Sequence, residues 1–418
     1  MVRMLSVAMI GLLGVSSTVL AADAAAPTVS KGVAKPLKAA QDALAAKNYD
    51  EAIAHIKEAQ AVSGEKSAYD QYAMNGLLLQ AYNGKHDTAS VVPVLLQLVQ
   101  SQYTNADQRR SFYKFIAGYE FQEKDYSKAL EAANDAVKNG ATDVDTQNLI
   151  AKSEYLSGKY KDAATTMQEI VSKLEHPDED SLKLLWQFDL KADDKAGASR
   201  AVEKLVAYYP KPEYWANALA SLANADTKDA HLELNIYRLM NDVGVLNRPT
   251  DYADMAEIAL DAGYPGETVN VLQKAFGANV FTDQRDKERY QHLLEGAKQR
   301  ATNDQASLAE NEKKAQAEAN GDGLVQVGAA YLSYGQNEKA VAAVNQGIAK
   351  GNLKYPDEAN LLIGIAQLRA HDNPAAQKAF EKVAASSNQN YARLGKLWAL
   401  HAGAHSARRR QTDVHQGW

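Results

Sequence analysis

Lys124-Asp125-Tyr126-Ser127-Lys128-Ala129 and Gly158-Lys159-Tyr160-Lys161-Asp162-Ala163 share one pattern: a short polar turn carrying a tyrosine runs into an alanine that opens an apolar helical stretch. Lys47-Asn48-Tyr49-Asp50-Glu51-Ala52 and Gly335-Gln336-Asn337-Glu338-Lys339-Ala340 repeat it. Four and seven residues past each alanine stand Ile56 and Ala59, Ala133 and Ala136, Met167 and Ile170, Val344 and Gly347, which is one face of a helix. Upstream of two of the turns, Ile150–Tyr155 and Val327–Tyr331 form a second amphipathic stretch, so each unit predicts helix, turn, helix. Ala129 and Ala163 are 34 residues apart, and Ala163 and Ala198 are 35 apart. A fixed internal period of this size points to a repeat array rather than to a single closed core.

This period and pattern resemble the tetratricopeptide repeat family. The family's sequence of positions is best met by Val327, Gly328, Tyr331, Gly335, Ala340 and Val344, with fragments in Ala198, Val202, Leu205 and Pro210 and in Gly364, Ala376, Phe380 and Val383. The resemblance covers roughly residues 35 to 390. It implies an all-α fold, an α-solenoid of helix-turn-helix repeats forming a right-handed superhelix. The expected organisation is a signal peptide at 1–21, a flexible linker at 22–34 and a repeat array at 35–276. A degenerate repeat or hinge follows at 277–320, then further repeats with a C-terminal capping helix at 321–400 and a polar, basic tail at 401–418. The interruption is placed at 277–320 because Ala306 to Asn320 offers Leu308 as its one large apolar residue, too little to bury a full helix face.

Composition agrees with an ordinary folded helical chain. Of 418 residues, 46% are hydrophobic and 23% charged, with only 10 prolines, and alanine-rich runs such as Ala39–Ala46 favour helix. The net charge of -6 is spread along the chain, which speaks against nucleic acid as a partner. Arg408-Arg409-Arg410 is too short a run to change that. At the N-terminus, Arg3, the uncharged apolar stretch Leu5–Leu20 and the small residue Ala21 read as a cleavable export signal, too short to remain as a membrane span. There is no cysteine, which removes disulfides and thiolate chemistry. Together these place the protein in the periplasm of a Gram-negative bacterium, without stable membrane insertion of the mature chain.

No His-Glu-x-x-His, calcium loop or phosphate-binding loop is present, so no catalytic, cofactor-binding or metal-ligating residue is assigned. His401 and His405 stand four apart but make only two ligands, and Gly197-Ala198-Ser199-Arg200-Ala201 lacks the second glycine of a nucleophile elbow. What remains is binding. In the family the first helix of each repeat lines a concave groove that takes a peptide or helix of the partner. Carried onto this sequence, that groove receives Lys114, Phe121 and Gln122 from one repeat and Asn148, Lys152 and Tyr155 from the next. Gly118 stands where the family's carboxylate-clamping asparagine would be, so recognition of a chain's C-terminal carboxylate is not implied. The expected function is a non-enzymatic scaffold or adaptor for protein partners of an envelope system, such as TonB-linked transport, outer-membrane assembly or polysaccharide export. The alternative is a module binding an envelope polymer, glycan or peptidoglycan, through exposed tyrosines and through Trp186, Trp215, Trp398 and Trp418.

Overall fold

A computed structural model of the chain describes residues 27–224 and 229–415; the expected signal segment and Trp418 lie outside them. Among the described residues the secondary structure is all α-helical. The helices follow as α1 (Lys31–Ala45), α2 (Tyr49–Ala61), α3 (Ala68–Gly84), α4 (Thr88–Leu98), α5 (Ala106–Gln122), α6 (Tyr126–Lys138), α7 (Val144–Leu156), α8 (Tyr160–Ser172), α9 (Glu179–Lys191) and α10 (Lys195–Tyr208). They continue as α11 (Pro212–Ala223), α12 (Ala230–Asp242), α13 (Pro249–Asp261), α14 (Pro265–Gly277), α15 (Gln284–Ala317), α16 (Asp322–Ser333), α17 (Asn337–Lys350), α18 (Pro356–Arg369), α19 (Asn373–Ala384) and α20 (Gln389–His415).

One turn recurs throughout. The residue two before the second helix of a hairpin has a positive φ at Lys47, His86, Lys124, Gly158, Asp193, Gly263, Gly335 and His371. The next residue's N–H then bonds back across that turn: Asp87 to the Tyr82 carbonyl (3.0 Å), Asp125 to Glu120 (2.9 Å), Lys159 to Glu154 (2.8 Å) and Asp372 to Gln367 (2.9 Å). This left-handed stop satisfies the carbonyls that a helix end leaves open. Asp87, Asp125 and Asp372 then cap the following helix by accepting the N–H three residues on. Past five of these turns the signature alanine is closed off from solvent: Ala52, Ala129, Ala163, Ala340 and Ala376 are 1% exposed or less.

The chain divides into two compact units, 1–198 and 199–418, with the division inside α10. In the first, successive hairpins stack and first helices also meet one another, α1 against α3 and α5 against α7. One apolar cluster runs from Val33 to Ile150, and buried Met167, Ile170, Leu182, Leu185 and Phe188 carry the core on through α8 and α9. Helix α1 starts at Lys31 with Val33 buried, so the end of the expected linker belongs to the array. Ser30 is tied to the buried Asp70 of α3 by its N–H (2.8 Å) and hydroxyl (2.6 Å). Burial opposes charge on Asp70, but these bonds and those from Ser67 hold its carboxyl below the usual range.

In the second unit the helices return on themselves. Helix α20 packs on α11, α12 and α18 as well as on α19, and α12 also meets α18. Inside it, Arg238 of α12 donates to Glu267 of α14 from Nε (2.8 Å) and Nη2 (2.6 Å), and its Nη1 reaches Asn235 (3.0 Å). Burial works against both charges, and each partner's opposite charge outweighs it, raising the arginine's pKa and lowering the glutamate's. Asn235 and His231 continue the chain of bonds to Glu358 of α18, at 3.4 and 2.7 Å.

The stretch 277–320, expected as a degenerate repeat or hinge, is helical over most of its length. It holds α15, one 34-residue helix that packs between α14 and α16. Its buried Tyr290, Leu294, Ala297, Leu308 and Ala315 make a narrow face, and its carboxylates take the hydroxyls of Tyr331 and Tyr334 from α16 and the turn after it (Glu312 and Asp304, both 2.8 Å). Strong helix formers such as Ala, Gln, Glu and Lys keep so polar a helix intact. At the other end, α20 runs through residues 401–415, expected as tail, and buries Ala402.

A Cβ built on Gly364 of α18 would overlap the Phe380 ring of α19. Gly364→Ala is therefore expected to destabilise the protein by about 1–3 kcal/mol through overpacking. Lys124→Gly, by removing a side chain from a left-handed position, is expected to stabilise by about 1 kcal/mol. Urea denaturation of the two variants reads both signs. His231 titrates against Glu358, whose hydrogen bond raises the histidine's pKa despite burial; Asp229 and Lys354 also face it, and Tyr355 stacks on it at 4.0 Å. A pKa raised above the ordinary 6.5 means the contribution is fully present below that pH and is lost as pH rises through the folded value. Thermal unfolding at constant ionic strength should thus show a Tm that falls as pH rises above about 6.5, a trend absent in His231→Phe.

Candidate functional site

Helix geometry decides which side chains of α5, α7 and α9 remain for a ligand. Residues four and seven apart share a face, so Lys114, Gly118 and Phe121 form a stripe on α5, and Asn148, Lys152 and Tyr155 form its counterpart on α7. The next repeat is one residue longer, which puts Lys183, Gln187 and Leu190 in the corresponding places on α9.

The stripes are joined side by side. Lys114 Nζ donates to Asp143 Oδ2 at 3.0 Å, and Asp143 is the residue that caps α7 by accepting the Thr146 N–H, also at 3.0 Å. Burial opposes its charge, while Lys114 and Thr146 hold its carboxyl below the ordinary range. Tyr155 stacks on Phe188 with centroids 4.6 Å apart, meets Tyr160 edge-on at 5.3 Å and accepts a hydrogen bond from the Gln187 amide at 3.1 Å. Phe121 meets Tyr126 edge-on at 5.4 Å, the same relation one repeat earlier.

Of the six residues expected in a groove, Lys114 is thus engaged by Asp143, and Phe121 and Tyr155 are half-buried and held by aromatic neighbours. Gln122 and Lys152 are exposed, and Lys152 has no ion-pair partner among the described residues. The Asn148 Oδ1 is buried without a hydrogen-bond partner among them. Gly118 opens onto free space. Sequence reading missed Asp143, which fixes Lys114, and all of α9, although the 35-residue step from Ala163 to Ala198 carries the phase there. It also missed the apolar edge: Leu156 is 46% exposed and Leu190 56%.

The other features assigned from sequence fall elsewhere. Trp398 and Trp215 are buried and offer no open ring face, and Trp186 is half-buried. His401 lies edge-on to Trp215 and Trp398, and the His405 side chain is outside the described part. Gly197 of the elbow-like stretch gives its N–H to Asp194 (2.8 Å) in the first turn of α10. Among the described residues no group of three or more His, Asp or Glu is placed to hold a metal ion. No described helix is long and apolar enough to cross a membrane.

Fold and stripes together define a helix-hairpin repeat protein that presents mixed cationic, amide and aromatic side chains from consecutive first helices. No family model matches the chain, and no curated protein matches it. Solved structures similar to it are tetratricopeptide proteins. The C-terminal part of one from Cytophaga hutchinsonii is 14% identical over 62% of this chain and 93% of its own, with a TM-score of 0.30. Another from Parabacteroides merdae is 12% identical over 70% and 99%, at 0.26. The TPR2AB domain of yeast Sti1 in complex with pHSP90 is 16% identical over 71% and 98%, at 0.20. Likenesses this distant carry nothing about what the chain binds.

The stripe's members should separate in a thermal melt. Tyr155→Ala removes a stacked pair and a hydrogen bond and is expected to cost about 1–3 kcal/mol, whereas Lys152→Ala should stay within about 0.5 kcal/mol of the parent.

Proposed function

We propose that the chain is a non-enzymatic scaffold of tetratricopeptide type that holds a protein partner on the α5–α7–α9 stripes. The observation that carries this reading is the combination at one face of an unpaired Lys152, an unpartnered Asn148 carbonyl oxygen and an apolar row from Phe121 through Tyr155 to Leu190. A buried acceptor without a donor costs roughly 1–3 kcal/mol, and a partner's backbone N–H removes that cost. The apolar row suits anchors on an extended or helical segment, and Lys152 suits an acidic group beside them. The partner is accordingly a protein segment with spaced apolar residues and a carboxylate. Export to the periplasm, and service there to an envelope transport, assembly or polysaccharide-export system, rests on Arg3, the Leu5–Leu20 stretch, Ala21 and the absence of cysteine.

Site-directed photo-crosslinking tests the site and the compartment together. Benzoylphenylalanine at the exposed position 122 should capture a discrete envelope protein in cells, and Leu190→Ser with Tyr155→Phe should reduce that capture several-fold while the protein stays folded. The mature N-terminus recovered from an osmotic-shock fraction should begin near Ala22. Capture unaffected by the stripe substitutions, or crosslinks to cytoplasmic proteins alone, would refute the reading.

A further inference from the structure

Between the first half of α3 and the end of α4 with its following loop lies a cleft of about 720 Å³, entirely within the first unit and apart from the α5–α7–α9 stripes. Its polar side chains are Gln71, Asn75, Gln97, Gln100, Ser101 and Gln102, and none of its lining residues is charged. Tyr72 forms part of the wall and is held by Tyr103 and Tyr69, with centroids 5.7 and 6.2 Å away. Leu96, 48% exposed, stands at the rim.

Asn75 is the informative residue. It sits inside α3, where asparagine is a poor helix former, and is only 8% exposed. Its side chain makes no hydrogen bond to any described residue, and neither do those of Gln97, Gln100 and Gln102. Gln71 reaches only the Lys66 carbonyl, at a weak 3.4 Å. Most of the residue is thus shielded, while its amide opens into the cleft with no bond inside the fold and is left to meet an occupant.

The donor set identifies the occupant. Each amide both donates and accepts, which matches hydroxyl groups that do the same, and an ionic ligand would find no counter-charge. A tyrosine wall adds a flat apolar surface with a polar edge, suited to the C–H face of a sugar ring. The volume falls in the range of small-molecule clefts, about 300–1,000 Å³. We propose that this cleft binds a neutral oligosaccharide, with the Asn75 amide at its base, the glutamines along its rim and Tyr72 as its wall.

Calorimetric titration of the full-length chain with maltohexaose, cellohexaose and chitohexaose, and with a neutral Ala-Gly hexapeptide, tests this. Saturable binding of at least one glycan is expected, with no heat from the peptide. Asn75→Leu should weaken that glycan about tenfold or more while leaving the free protein's Tm unchanged or raised, because the amide makes no bond within the fold. Gln97→Ala and Gln100→Ala, at exposed positions that do not hold the fold, should each weaken it about three- to tenfold, and they carry the test if Asn75→Leu does not fold. The proposal is overturned by absence of saturable glycan binding up to about 10 mM, by binding that these variants leave unchanged, or by preference for the peptide. A Tm several degrees lower in a folded Asn75→Leu would also overturn it, since the amide would then be serving the fold.

Discussion

The left-handed turn between paired helices is the constraint from which the rest of the molecule follows. It stops the first helix with one residue at positive φ, returns the next N–H to a carbonyl five residues back, and starts the second helix within two residues. So short a connection leaves the two helices no freedom but close antiparallel packing, and close packing demands a small residue where they approach. Alanine near the start of most second helices meets that demand, with Val91 and Thr268 in its place in α4 and α14, which is why the same few residue types return at the same spacing. Five of the eight turns place a non-glycine residue at positive φ, an expense that packing of the attached helices must offset.

Within a hairpin the volume is shared rather than fixed. Where the first helix offers glycine, the second offers bulk: Gly328 lies against Val344, and Gly364 against Phe380. Ala117 and Ala133 occupy the same register with two small residues, and Ala151 and Met167 with one small and one long. Compensation of this kind keeps the interhelical distance nearly constant while single positions drift, so the repeat outlasts its consensus. The second unit adds a polar device. Arg238 and Glu267 face each other in a dry interior, where removing one partner costs about 3–5 kcal/mol because the other charge is stranded. The same bonds run on through Asn235 to Glu358, linking helices far apart in sequence.

The hairpins at Lys47, Lys124, Gly158 and Gly335 were legible because polar turn, tyrosine and alanine stand together in a few residues. The α3–α4 pair has the same turn at His86 but Val91 in the alanine's register and Pro93 inside the helix, so the visible motif vanishes while the geometry stays. Helix α15 departs from the visible repeat because a narrow buried face, completed by tyrosine hydroxyls from α16 and its turn, leaves little hydrophobic periodicity. The division inside α10 left no mark at all, since neither side changes composition. Of the candidate site, the α5 and α7 residues followed from phase alone. Lys114's engagement with Asp143 did not, because a cap's second partner depends on the distance between repeats.

Satisfaction of polar groups separates the structural from the functional better than residue type does. Asp70, Asp143 and Asp178 are acidic and partly or wholly shielded, yet each has its acceptors filled by caps, hydroxyls or an ammonium. They belong to the fold. Asn148 and Asn75 are neutral and unremarkable in sequence, yet the chain completes neither amide: Asn148 Oδ1 is buried without a donor, the Asn75 amide opens into the α3–α4 cleft, and each lies on the first helix of a hairpin. A repeat protein has no single deep core in which to hide such a loss, since each unit is stabilised only by its neighbours. An open amide retained on that thin margin is therefore a stronger mark of binding than an exposed charge, which costs nothing to keep.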